Sequence, residues 1–321
     1  MKGLLSLFKS NSFISLFGNG ISALLGLLSF ALLARFTTKQ DLGIWIIFLT
    51  VYGIFDTLRT GMVLNAFIKN FTQSKNEEEQ NQVVGSAWHL SFLVNLIYVI
   101  FTALCYLVFY MFNILPNYHF FFIWLILLSI FSLPFNFATW LLNAKLSIFK
   151  MSLSRIINQV VFILLIVFFL KFIDEKKIIL ILFAYTLAQL VTSIFCIIIG
   201  WSGIKLYFHK TKEGLKELFH FGKYSMGTLI GSNLLRSSDS FLIGKFIGTI
   251  AVATYNVPSK VVDVFDLVIR SFAITNMPVL SKIYSSGNLV LLKKSLKEKL
   301  AFCFYCYFQL LLYLLFLQNK L

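Results

Sequence analysis

Apolar residues run along this chain in blocks of twenty to thirty, separated by short polar stretches, over nearly its whole length. About 20 such residues cross the hydrocarbon core of a bilayer as one helix. The blocks predict nine spans, at about 12–34, 42–68, 84–112, 120–143, 153–172, 177–203, 221–243, 250–280 and 298–317. Inside lipid every backbone N–H and C=O must be paired within the segment, so the blocks read as helices. The first block follows Lys2 and runs to about Arg35 without a small-residue cleavage pattern, which marks a retained helix rather than a signal peptide.

Composition agrees with that pattern. The chain is 59% hydrophobic, 17% aromatic and 13% charged, with a mean hydropathy of +0.84, which is a membrane composition and not that of a soluble domain. The net charge of +15 is explained by topology, because positive residues resist translocation. Of the 28 Lys and Arg, seventeen fall on the face that carries Lys2, Lys69, Lys145, Lys210 and Lys293, and seven fall on the face that carries Lys39 and Lys245. The first face, with the N-terminus, is therefore expected to be cytoplasmic. With the charge accounted for in this way, no nucleic-acid partner is expected. The polar run from Lys69 to Gln82 reads as a solvated cytoplasmic connection.

Cys105, Cys196, Cys303 and Cys306 all lie in apolar runs, and the four histidines show no ligand spacing. Neither a metal nor any other cofactor is expected, and no phosphate-binding loop of the nucleotide-hydrolysing type is present.

An internal repeat organises the chain. Lys2–Phe8 (KGLLSLF) matches Glu213–Phe219 (EGLKELF); Arg35-Phe36 matches Lys245-Phe246, and Phe55-Asp56 matches Phe265-Asp266. With a one-residue slip, Arg59 matches Arg270 and Asn65 matches Asn276. Six spans separate equivalent points, so the two copies share one orientation and are related about the membrane normal. The expected domains are a six-helix lobe, residues 1–208, and the first three helices of a second lobe, residues 209–321. On this reading the second lobe is incomplete, lacking its last three helices.

Two stretches carry a family resemblance. FGKYSMGTLIGSNLLRSSDSFLIGKFIGTIAVATYNVPSKVVDVFDLVIRSFAITNMPVLSKIY resembles the seventh and eighth helices of Wzx-type polysaccharide and oligosaccharide-lipid flippases, in the superfamily that also holds the multidrug and toxin extrusion transporters. LLARFTTKQDLGIWIIFLTVYGIFDTLRTG resembles that family's opening hairpin. The resemblance implies an all-α polytopic membrane protein, a two-lobed MATE-like helix bundle with parallel six-helix repeats. It implies flipping of a polyprenyl-diphosphate-linked glycan, such as an O-antigen, capsule or exopolysaccharide unit, across the bacterial inner membrane. The implied partners are that glycan lipid, the lipid bilayer and other glycan-assembly membrane proteins. The implied protein is not an enzyme.

Four cations fall within spans: Arg59, Arg236, Lys260 and Arg270. Ionisable groups at that depth face a bundle interior or a wet cavity, and a diphosphate in transit needs cations, with Arg suited to bidentate contact. These four are the candidate substrate-binding residues. Asp56, Asp239, Asp263 and Asp266 stand three or four residues from them, so each cation also has a candidate structural partner on its own helix. The same aspartates are candidates for ion coupling, since a buried carboxylate can exchange a proton or admit sodium. Pro134 is expected to bend the fourth helix. Asn95, Asn136, Asn143 and Asn158 are expected to bond between helices or to line a polar cavity. Three further functions stay open: a multidrug or organic-cation exporter of the same superfamily, a membrane-embedded glycan or lipid transferase, and a non-functional shortened flippase.

Overall fold

The computed structural model describes residues 11–114, 116–172 and 177–259, and of residues 11–16, 117, 170–172, 177 and 236 only the backbone. Residues Leu24–Asn256 form one compact unit; Met1–Ala23 and Val257–Leu321 form another, most of which lies outside the described residues. The following concerns the first unit.

Its elements are all helical: α1 (Asn11–Phe36), α2 (Lys39–Gln73), α3 (Glu77–Met111), α4 (Phe120–Ala144), α5 (Ile148–Phe172), α6 (Lys177–Ile198) and α7 (Lys212–Phe246). A further helical stretch begins at residue 249, and no strand occurs among the described residues. Six helices, α1 to α6, are long and apolar enough to cross a membrane. The seventh expected span lies inside α7, which is 35 residues long but much less apolar, because Ser225, Thr228, Ser232, Asn233, Ser237 and Asp239 interrupt it. The eighth expected span starts within the described residues; the rest of it, and the ninth, lie outside them.

Local chemistry fixes the helix starts. The Thr38 hydroxyl oxygen accepts the Asp41 N–H at 3.1 Å, and Asn76 Oδ1 accepts the Glu79 N–H at 2.8 Å. Thr211 Oγ1 accepts the Gly214 N–H at 3.1 Å. Each satisfies an orphan donor of the first turn, and Glu77, Glu78 and Glu79 also complement the positive helix terminus. The helices run further than the expected spans, α2 to Gln73 and α3 from Glu77, so the polar run from Lys69 to Gln82 is almost entirely helical. At 1.5 Å per residue these helices are about 52 Å long and extend well beyond a ~30 Å hydrocarbon core.

Two apolar cores hold the unit. Trp45, Phe48, Phe162 and Ile181 centre one, between α2, α5 and α6, where Trp45 meets the Tyr185 ring edge-on at 5.1 Å. Phe67, Trp88, Phe137 and Leu218 centre the other, between α2, α3, α4 and α7, where Trp88 stacks on Phe137 at 4.3 Å. The polar groups of α5 and α6 pair between helices: Asn158 Nδ2 donates to Thr192 Oγ1 at 3.1 Å.

The long packing seam joins α2 to α7. A Cβ on Gly222 would stand 1.9 Å from the Met62 carbonyl oxygen and one on Gly61 2.8 Å from the Met226 Cα; just past the end of α7, one on Gly43 would stand 1.9 Å from the Thr249 carbonyl oxygen of the next helical stretch. Glycine at these three points lets the backbones touch, as in other close-packed membrane helix pairs.

Candidate functional site

The middle of α2 places Arg59 and Asp56 one turn apart on a face turned toward α3 and α4. Arg59 is 4% exposed and paired with Asp56 through Nη2 and Oδ1. Its Nη1 donates to the Ser129 carbonyl at 3.2 Å and to Asn95 Oδ1 at 3.4 Å, and its Nη2 donates also to Ser132 Oγ at 3.3 Å. All four terminal N–H groups of the guanidinium thus have acceptors, as a buried charge requires. Nε has none.

Asp56 is more accessible, with its side chain 31% exposed, and it also accepts the Asn136 amide at 3.3 Å. Tyr52 donates its hydroxyl to Ser132 Oγ at 2.9 Å, which ties the network to the next turn of α2. Asn95 and Asn136 therefore bond between helices, as their place in apolar sequence suggested. The network's other members, Tyr52, Ser129 and Ser132, carry no sequence signal of their own.

Pro134 shapes the α4 side of this network. Proline removes one bond of the i→i−4 ladder and crowds the next, and here Ser193 of α6 bridges that next rung: its hydroxyl donates to the Phe131 carbonyl at 2.5 Å and accepts the Phe135 N–H at 3.1 Å. A neighbouring helix's Ser re-satisfying a broken ladder is a general device in membrane helices.

Beside the ion pair lies a cavity of about 550 Å³ walled by α2, α3, α4 and α7. Its wall is largely apolar and aromatic, with Phe55, Met62, Tyr98, Phe101, Phe219 and Met226. Its charged lining groups are Asp56, Arg59 and Lys223, one carboxylate against two cations. Lys223 extends from α7, is exposed, and lies 4.9 Å from the Tyr224 ring centroid. Sequence reasoning counted Lys223 among the charges that set topology, because it follows Lys205, Lys210, Lys212 and Lys216 along the chain.

The other candidates do not all join this site. Asp239 is exposed and accepts the Tyr255 hydroxyl at 2.8 Å. Lys260, Asp263, Asp266 and Arg270 lie outside the described residues, as do Cys303 and Cys306, and the side chain of Arg236 is not described. Lower on α7, Asn233 donates to the Thr57 hydroxyl and, at 3.4 Å, to the Gly53 carbonyl.

Comparison with solved structures shows which fold this helical bundle and its charged cavity share. A MATE in complex with Br-NRF is 18% identical with a TM-score of 0.58, over 88% of this chain and 68% of that one. A mutant of the Vibrio cholerae MATE transporter VcmN is 15% identical with a TM-score of 0.58, over 91% and 68%. A solved chain described as protein A is 15% identical with a TM-score of 0.60, over 88% and 66%, so this chain spans about two thirds of the length of the structures it matches. No curated protein matches the chain. Residues 8–284 match the polysaccharide biosynthesis protein family, and the chain belongs to that family.

Proposed function

We propose that this protein is a flippase that carries a glycan linked to a polyprenyl diphosphate from the cytoplasmic to the outer leaflet of a bacterial inner membrane by alternating access. The observation that carries this reading is the cavity, whose walls suit a lipid or sugar face while its charged groups leave an excess of one cation. Such a cavity attracts a diphosphate and disfavours a free cation. The chain's membership of a polysaccharide biosynthesis family supports a glycan cargo, and its MATE-like fold supports movement across a membrane.

Within this reading Lys223 makes the first contact with the diphosphate, since it is exposed and has no carboxylate partner among the described residues. Arg59, held on four sides, supplies a fixed positive charge behind it and reaches phosphate as Asp56 shifts. By the internal repeat of the sequence Arg270 corresponds to Arg59 and Asp266 to Asp56, and Arg236 and Lys260 are the remaining candidate cations for the diphosphate. Asp56 and Asp266, then Asp239 and Asp263, are the candidates for ion coupling. The N-terminus and the α2–α3 turn face the cytoplasm, as the distribution of Lys and Arg favours.

The test is flipping in proteoliposomes of a fluorescent prenyl-diphosphate-linked sugar. The protein is expected to accelerate it over empty vesicles, and Lys223→Gln to slow it about tenfold, as loss of one charge-assisted hydrogen bond implies. No acceleration over empty vesicles rejects the proposal. One observation favours a second reading, an exporter of organic cations: Asp56 is partly exposed in an aromatic cavity. Raised drug resistance in cells, lost with Asp56→Asn and accompanied by no change in surface glycan, would select that reading.

A further inference from the structure

A second cavity, of about 660 Å³, lies on the same four helices toward the α1–α2 turn. Ile44, Ile47 and Val51 line it from α2. They continue in steps of three or four residues into Phe55, Leu58 and Met62 of the ion-pair cavity, so both cavities open on one face of α2. On α7 the lining passes from Phe219, Lys223 and Met226 to Ser240 and Gly244, and Gly248 adds to it just past the helix end. Met226 and Ser240 are fourteen residues apart, close to four turns, so this too is one face. The two cavities lie in line along these faces of α2 and α7. Lys223 in the first and Lys245 in the second are set about 33 Å apart by the helix rise, a bilayer's hydrocarbon thickness.

The second cavity differs in its chemistry. Lys245 is the one charged side chain in its lining, and no carboxylate lines it. Phe109, Phe121, Phe122 and Phe241 give it aromatic walls. Gly248, at φ 113°, has nothing within 4 Å of where a Cβ would stand, so the lining is open there. A lone exposed cation at the rim of an aromatic, apolar pocket is complementary to a ligand with a phosphate head and a hydrocarbon chain.

We propose that this cavity is the release-side site of the protein, taking the prenyl diphosphate of the transported lipid, with Lys245 bound to phosphate and the aromatic wall around the isoprene units nearest the head. The proposal rests on the flippase reading for the identity of its occupant, and it adds a second site to that reading.

The test is binding of tritiated farnesyl diphosphate to the purified full chain, with Lys245→Gln and Lys223→Gln compared. Lys245 is exposed, so its replacement leaves the packing intact. Wild type is expected to saturate at two ligands, and each variant at one, with the lost site weakened about tenfold or more. Farnesol and inorganic diphosphate are each expected to compete at least about tenfold less well, since each lacks one half of the recognised chemistry. Unchanged binding in Lys245→Gln overturns the proposal. Equal competition by phosphatidylglycerol also overturns it, since the cavity would then be a general anionic-lipid site, and equal competition by inorganic diphosphate does so by removing the role of the aromatic wall. Lys245-dependent binding without flipping in the proteoliposome assay rejects the flippase reading and keeps the site; flipping with binding indifferent to Lys245→Gln does the reverse.

Discussion

Arg59 is a buried cation whose removal leaves a carboxylate without its partner. A buried cation held by a carboxylate, a carbonyl, an amide and a hydroxyl is neutral to stability while complete, yet breaking such a pair from one side is costly. Arg59→Met is expected to lower stability by about 3 kcal/mol or more, measured as unfolding in detergent. Adding Asp56→Asn should return part of that loss, because the orphaned carboxylate is neutralised; a strictly additive double variant would show that the pair is not coupled. The pairing itself was readable from spacing, since Asp and Arg three residues apart in apolar sequence have few other ways to be satisfied. The rest of the cage was not readable. Ser129 and Ser132 are ordinary small residues of membrane helices until folding brings them to Arg59, and Lys223 is concealed in a basic run that topology already explains.

At the scale of elements, Pro134 and Ser193 act as one unit although they lie on different helices. Ser193→Ala leaves the Phe135 N–H and the Phe131 carbonyl without their partner, and a cost of about 1–3 kcal/mol is expected. With Pro134→Ala present, the ladder can close on itself and the same substitution should cost far less; calorimetry or thermal unfolding of the four proteins checks this. The α2–α7 seam gives a sharper contrast. Gly222→Ala puts a Cβ into the Met62 carbonyl and must push the helices apart, whereas Gly231→Ala on the same helix enters open space. The first should markedly destabilise the protein, and the second should be neutral or stabilising by up to about 1 kcal/mol through helix propensity. The disturbed ladder at Pro134 was readable, since proline has no N–H to donate. The glycine seam was not, because Gly61 and Gly222 lie far apart in sequence and are matched only by the crossing geometry.

For the molecule as a whole, the internal repeat has a geometric counterpart. α1 ends at Phe36 and α7 at Phe246, and the following helices start at residues 39 and 249, the same 210-residue offset. Each first helix closes with a cation near the next ring, Arg35 at 5.9 Å from the Phe36 centroid and Lys245 at 5.5 Å from that of Phe246. The seam therefore joins the second helix of one repeat to the first helix of the other. Backbones in contact leave no room to slide, so in an alternating-access cycle the α2–α7 pair is expected to move as one body while the cavities beside it open and close. Asn65 Nδ2 donates to Ser225 Oγ at 2.6 Å across this seam. With the four native cysteines replaced by alanine, Asn65→Cys and Ser225→Cys should cross-link on oxidation and leave flipping in proteoliposomes largely intact. Flipping that stops on oxidation and returns with reductant would show instead that the seam opens during transport. The glycine contacts would then mark one state of the cycle rather than its fixed axis.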